Sequence, residues 1–91
     1  MTKTSHTEIC QALSRYLRNE ILRKPDYPLE NETPLISGGI IDSFSITHIS
    51  VFMEREFGVQ IRDQDLTVEN MDTISGMAGL VEKALPQQEP S

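Results

Sequence analysis

Pro25, Pro28 and Pro34 constrain this chain more than any other residues, because none of them can sit inside a regular helix or a paired strand. The stretch they interrupt, residues 23–41, also holds Leu29, Leu35, Ile36, Ile40 and Ile41, too apolar for a solvated linker. The expectation is a long ordered loop pinned to a core by its aliphatic side chains. Loops of that length in compact domains are usually functional or disordered, and the apolar anchors argue for order.

Helical periodicity brackets this loop on both sides. Ser5-His6-Thr7-Glu8 has the form of a capping box. Ile9, Leu13, Tyr16, Leu17 and Ile21 then recur at three- and four-residue spacing. A first helix is expected from about Thr7 to about Leu22, ended by Pro25. A second is expected to start after Asp42 as N-cap and to run to Phe57. Its core stripe is Ile46, Ile49, Phe52, Met53 and Phe57, and Gly58 supplies a left-handed C-cap. Val59 and Ile61 continue as a short extended segment. Residues 63–70 suggest a loop with one short helical turn, anchored by Leu66, Val68 and Met71. Asp72-Thr73 offers a cap for a last helix whose apolar positions are Ile74, Met77, Ala78, Val81 and Leu85, and Pro86 stops it. Gly76 and Gly79 each weaken that helix by roughly 1 kcal/mol relative to alanine. The expected class is all-α, with three long helices and one short. Residues 1–91 form one domain, with a helical core over about 7–85 and a polar tail over 86–91.

Composition narrows the function classes. Fourteen acidic residues against eight basic ones leave a net charge of −6, with a pI near 4.7. That charge disfavours nucleic acid and anionic lipid, and the basic residues form no stripe interleaved with aromatics. One cysteine, Cys10, allows no internal disulfide, and it reads as a half-buried packing residue. Residues 1–6 hold no apolar run of a secretory leader, and no stretch approaches the ~20 apolar residues of a membrane span. A cytoplasmic protein with no membrane insertion is expected. Asp63-Gln64-Asp65 opens like a calcium loop, but Val68 stands at the glycine turn and Ile74 at the closing glutamate, so an EF-hand is rejected. Two histidines far apart and one cysteine make no zinc site, and no metal is expected.

The most informative segment is Ser37-Gly38-Gly39-Ile40-Ile41-Asp42-Ser43-Phe44-Ser45. A glycine turn runs through two β-branched residues into an Asp-Ser pair at a helix start. The Ser43 hydroxyl is therefore expected at the positive end of a helix, where a phosphate-linked group is favoured. By itself the pair reads more simply as a first-turn serine after an aspartate cap. No Gly-x-Ser-x-Gly elbow surrounds Ser43, and His48 falls on another side of the helix, so a serine hydrolase is rejected and no catalytic residue is assigned.

Gly39-Ile40-Ile41-Asp42-Ser43-Phe44 resembles the attachment motif of acyl carrier proteins and their peptidyl and D-alanyl relatives. The resemblance continues through residues 54–61 (Glu54-Arg55-Glu56-Phe57-Gly58-Val59-Gln60-Ile61) and from Asp65-Leu66-Thr67-Val68-Glu69-Asn70 to Ile74. It covers about Thr7 to Leu85. It implies a four-helix bundle and a covalent phosphopantetheine arm on Ser43, transferred from coenzyme A by a phosphopantetheinyl transferase. It implies a second role for Asp42 in recognition by that transferase, beside capping. The arm would hold cargo as a thioester, and the expected partners are a loading ligase and a downstream synthase or transferase. The resemblance also implies that a fatty acyl cargo can fold back between the helices, with Met53, Met71, Met77 and Val81 as candidate lining. The chain is expected to be a monomer without catalytic activity of its own.

Phe44 and Val51 lie within about 20° of each other around the second helix, with Thr47 beside them. They form an apolar patch on the outer face just below Ser43, and Phe44, Thr47, Val51, Glu54 and Arg55 are the candidate partner-binding residues. The carriers of primary fatty-acid synthesis have a strongly acidic second helix, whereas this one has Ser45, His48 and Arg55 where acidic residues are common, and keeps Glu54 and Glu56. The expectation is a dedicated acyl carrier in a specialised lipid or secondary-metabolite pathway. An aminoacyl (peptidyl or D-alanyl) carrier is the alternative reading, and an unmodified helical protein-interaction module is the competing class.

Overall fold

The computed structural model describes residues 5–85. The expected stop at Pro86 and the tail 86–91 lie outside those residues. The elements are α1 (His6–Tyr16), which continues through one π-helical turn (Leu17–Ile21), then α2 (Ser45–Phe57), a 3-10 turn (Asp63–Asp65), α3 (Val68–Met71) and α4 (Ile74–Ala84). No strand occurs among the described residues. The fold is all-α, three long helices and one short, with the long loop between α1 and α2.

Local chemistry sets most helix ends. Ser5 Oγ accepts from the Glu8 amide at 3.2 Å, and Glu8 Oε1 accepts from the Ser5 amide at 3.1 Å, closing the capping box. At the other end of α1, Leu22 N–H reaches back to the Leu17 carbonyl at 2.8 Å, one residue further than in an α-turn. The widened turn carries Leu17 into the core and lays Ile21 and Leu22 against it. Arg23 then takes a left-handed backbone (φ 57°), and Lys24 N–H bonds the Arg18 carbonyl at 2.8 Å. Gly58, at φ 67°, ends α2 as expected. Thr73 caps α4, its Oγ1 accepting from Gly76 N–H at 2.9 Å.

The core is assembled from all the helices and the loop. Ile9, Leu13 and Leu17 of α1, Leu35 of the loop, Ile49 and Met53 of α2, Met71 of α3, and Ile74, Met77 and Val81 of α4 are fully buried. Each such side chain contributes about 1.5–3 kcal/mol of transfer free energy. α1 packs chiefly on α4. Aromatic contacts register α1 on α2. The rings of Tyr16 and Phe52 stack at 4.1 Å, Phe52 meets Phe57 edge-on at 6.2 Å, and Tyr16 Oη donates to the His48 carbonyl at 3.3 Å. Burial first, and then the charge of Glu20, raises the Tyr16 phenol above its ordinary value.

Candidate functional site

The loop that leads to Ser43 is held against the α3–α4 corner. Leu35 N–H donates to the Asp72 carbonyl at 2.7 Å, and the Asp72 carboxylate takes the next turn. Its Oδ1 accepts from Ile36 N–H at 2.7 Å and Ser37 N–H at 2.8 Å, and its Oδ2 from Ser37 Oγ at 2.7 Å. The Ser37 amide and hydroxyl, together with the Ile36 amide, pull the Asp72 carboxyl below its ordinary value against a smaller opposing effect of burial. Sequence reasoning assigned Asp72 to helix capping and missed this role. The signal lay in Asp72-Thr73, because one helix start needs a single capping side chain and the other is left free.

Two glycines make the turn that follows. A Cβ at Gly38 would collide with the Pro34 carbonyl, and Gly39 sits at φ 78°. The chain then folds back, with Ile40 and Ile41 amides both donating to the Leu35 carbonyl at 2.8 and 3.0 Å. Ile41 is buried, and Asp42, Ser43 and Phe44 emerge onto the surface.

The entry to α2 departs from expectation. Asp42 is not its N-cap. The helix begins at Ser45, Phe44 occupies the cap position in helical backbone geometry, and no side chain caps it. Ser45 N–H already donates to the Asp42 carbonyl at 3.1 Å, and Ile46 N–H to the Ser43 carbonyl at 3.1 Å. The Asp42 main-chain oxygen thus takes the Ser45 amide, one of the two that its carboxylate would have capped. Ser43 accordingly lies in a tight turn ahead of α2 rather than in its first α-turn, and its hydroxyl remains exposed.

An open cleft of about 660 Å³ borders Ser43. Ile21 and Leu22 from the end of α1, Ile36 and Ile40 from the loop, and Val68 from α3 supply apolar walls, with Asp42 and Ser43 at its rim. Met53, Met71, Met77 and Val81 are not among its walls; all four are fully buried between the helices.

Four of the five candidate partner residues, Phe44, Thr47, Val51 and Arg55, share an exposed outer face of α2. Phe44 is 82% exposed and Val51 45%. Glu54 is separate from them. It is half-buried, and its Oε2 accepts from Ile61 N–H at 3.2 Å, which holds the segment after α2 in place. Cys10 is buried, with its Sγ 3.5 Å from His6 Nε2, and burial first, then the charges of Glu82 and Glu32, raise its thiol pKa. No helix among the described residues is long and apolar enough to cross a membrane.

No family model, curated protein or solved structure matches this chain.

Proposed function

We propose that the chain is an acyl carrier protein, modified with phosphopantetheine on Ser43 and acting in the cytoplasm in a specialised lipid or secondary-metabolite pathway. One observation carries the reading: an exposed serine, held by an anchored loop, borders an open cleft with aliphatic side chains among its walls, at the head of a helix whose outer face is exposed. The attachment-motif resemblance at residues 39–44, and its two downstream segments, supply the chemical identity.

The residues present fit the group. Ser43 Oγ is accessible to a transferase, and attack on the pyrophosphate of coenzyme A would form a phosphodiester and release adenosine 3′,5′-bisphosphate. Ile21, Leu22, Ile36, Ile40 and Val68 offer an apolar surface beside the attachment point, and the exposed Asp42 carboxylate is free of the capping role and open to the transferase. When attached, the group supplies a thiol on a flexible tether, which holds acyl cargo as a thioester. The chain's own contribution is presentation. Asp72 fixes the loop, the glycine turn projects Asp42-Ser43 outward, and α2 offers a docking face to the loading ligase and the downstream synthase or transferase.

Incubation with coenzyme A and a broad-specificity phosphopantetheinyl transferase should add the mass of one phosphopantetheinyl group. Ser43→Ala should abolish the gain. No gain in the parent chain, or a gain that persists in Ser43→Ala, leaves the unmodified interaction module as the better reading.

A further inference from the structure

Asp72 ties the approach to Ser43 to the α3–α4 corner. Among the described residues, no other side chain hydrogen-bonds to the segment 35–44. Its grip covers three successive positions. The Asp72 carbonyl accepts from Leu35 N–H, and its carboxylate accepts from Ile36 N–H, Ser37 N–H and Ser37 Oγ, all at 2.7–2.8 Å. Two of those residues then hold the turn. The Ile36 carbonyl accepts from Gly39 N–H at 3.0 Å, and the Leu35 carbonyl from the Ile40 and Ile41 amides. Asp42 and Ser43 follow at once, and their carbonyls take the Ser45 and Ile46 amides at the start of α2. The anchor itself is fixed, because Met71 before it and Ile74 after it are fully buried and Thr73 caps α4. The turn it steadies contains two successive glycines, which have the most backbone freedom to lose.

Resting on the carrier reading, we propose that Asp72 is a positioning residue for phosphopantetheine transfer to Ser43, acting through Leu35, Ile36 and Ser37 rather than by contact with coenzyme A. The transferase must meet Asp42 and Ser43 in one arrangement. With the Asp72 clamp closed, the free chain already holds a single arrangement of the loop. With the clamp broken, only part of the population does, and the KM for the chain rises by the inverse of that fraction. Once the chain is bound the loop is ordered in either case, so kcat is left unchanged. Bonds to an ionised acceptor are roughly twice as strong as neutral ones, which suits an aspartate to the clamp. An asparagine there would still offer Oδ1 to both amides, and Ser37 Oγ would turn to accept from its amide group. The clamp would be weakened and its geometry kept.

The test measures transfer from saturating coenzyme A by a broad-specificity transferase as the chain concentration is varied, beside backbone amide relaxation of the unmodified chain. Asp72→Ala should raise the KM for the chain about fivefold, as if a fifth of it were competent, and leave kcat unchanged. Asp72→Asn should recover part of the loss. Ser37→Ala removes only the hydroxyl's bond, so it should raise KM by less, and it carries the test if Asp72→Ala fails to fold. Relaxation should show new picosecond-to-nanosecond mobility in Asp72→Ala from Ile36 through Ser43. Ser5→Ala opens the α1 capping box and leaves the loop's bonds intact, so it should lower Tm with KM and loop mobility as in the parent. An unchanged KM, a fall in kcat alone, an equal rise in Ser5→Ala, no recovery in Asp72→Asn, or mobility that stops at Ser37 would each overturn the proposal. A parent chain that takes up no phosphopantetheine overturns the carrier reading and this inference with it. Any of the other results in a modified parent overturns this inference alone.

Discussion

The Asp72 carboxylate holds Ser37 through both of its oxygens, Oδ1 on the amide and Oδ2 on the hydroxyl, across 35 positions of sequence. This contact joins the start of α4 to the glycine turn that projects Ser43. Removing it should loosen the loop while leaving the helices formed. Asp72→Ala is expected to lower Tm and to speed amide exchange at Ile36 and Ser37, with α1 and α4 amides little changed. Asp72→Asn keeps an acceptor and should fall between.

The same bonds make the stability pH-dependent. The folded Asp72 pKa lies below its unfolded value, so its contribution is complete above the ordinary aspartate range near 4 and is lost as pH falls through the lower folded value. The parent chain should lose more stability than Asp72→Ala on acidification below that range. Urea melts of both proteins from neutral pH downward measure this, and parallel curves would show that Asp72 is not a linkage site.

Gly38 and Gly79 should respond to alanine in opposite directions. A Cβ at Gly38 meets the Pro34 carbonyl, a backbone atom that cannot swing aside, so Gly38→Ala should destabilise by roughly 1–3 kcal/mol. Around Gly79 of α4 there is open space, and Gly79→Ala should stabilise by about 0.5–1 kcal/mol through helix propensity and a less flexible unfolded chain. Chemical denaturation of the two variants beside the parent decides both signs.

Arg23 closes α1 with φ 57°, a conformation that disfavours a side chain by roughly 1–2 kcal/mol. Arg23→Gly should therefore raise stability by about 1 kcal/mol or less, because part of the gain is offset by the greater freedom of glycine in the unfolded chain. A fall in Tm would show that the arginine side chain contributes contacts that outweigh its backbone strain.

Features written within a few residues were legible in the sequence. The Ser5–Glu8 box, the Gly58 terminator and the Thr73 cap are each closed by partners three or four positions away, and the stripes through Ile9, Leu13 and Leu17 and through Ile49 and Met53 follow the helix period. Asp72 escaped because its partners, Ile36 and Ser37, are 36 and 35 positions distant, and no local pattern encodes such a pairing. The π-turn escaped because it still places apolar residues at helical spacing. At the site, the exposure of Ser43 was readable from the glycine turn, but the cleft beside it was not. Its walls come from three separated stretches, ending in Ile21–Leu22, Ile36–Ile40 and Val68.

Asp42 is where a local rule was overridden, and that gives a sharp test. An aspartate before a helix ordinarily caps it, and replacement by alanine then destabilises by about 0.5–2 kcal/mol. Here the Asp42 and Ser43 carbonyls take the Ser45 and Ile46 amides, and the Asp42 side chain is exposed and uninvolved in the helix start. Asp42→Ala should therefore change stability by no more than about 0.5 kcal/mol. If its carboxylate serves the transferase, the same variant should take up phosphopantetheine more slowly than the parent at equal Tm. A large loss of stability would restore the capping role, and an unchanged modification rate would remove Asp42 from transferase recognition. The separation of the two readouts works because the Asp42 main-chain oxygen already takes the Ser45 amide, so the carboxylate beside Ser43 is free for another protein.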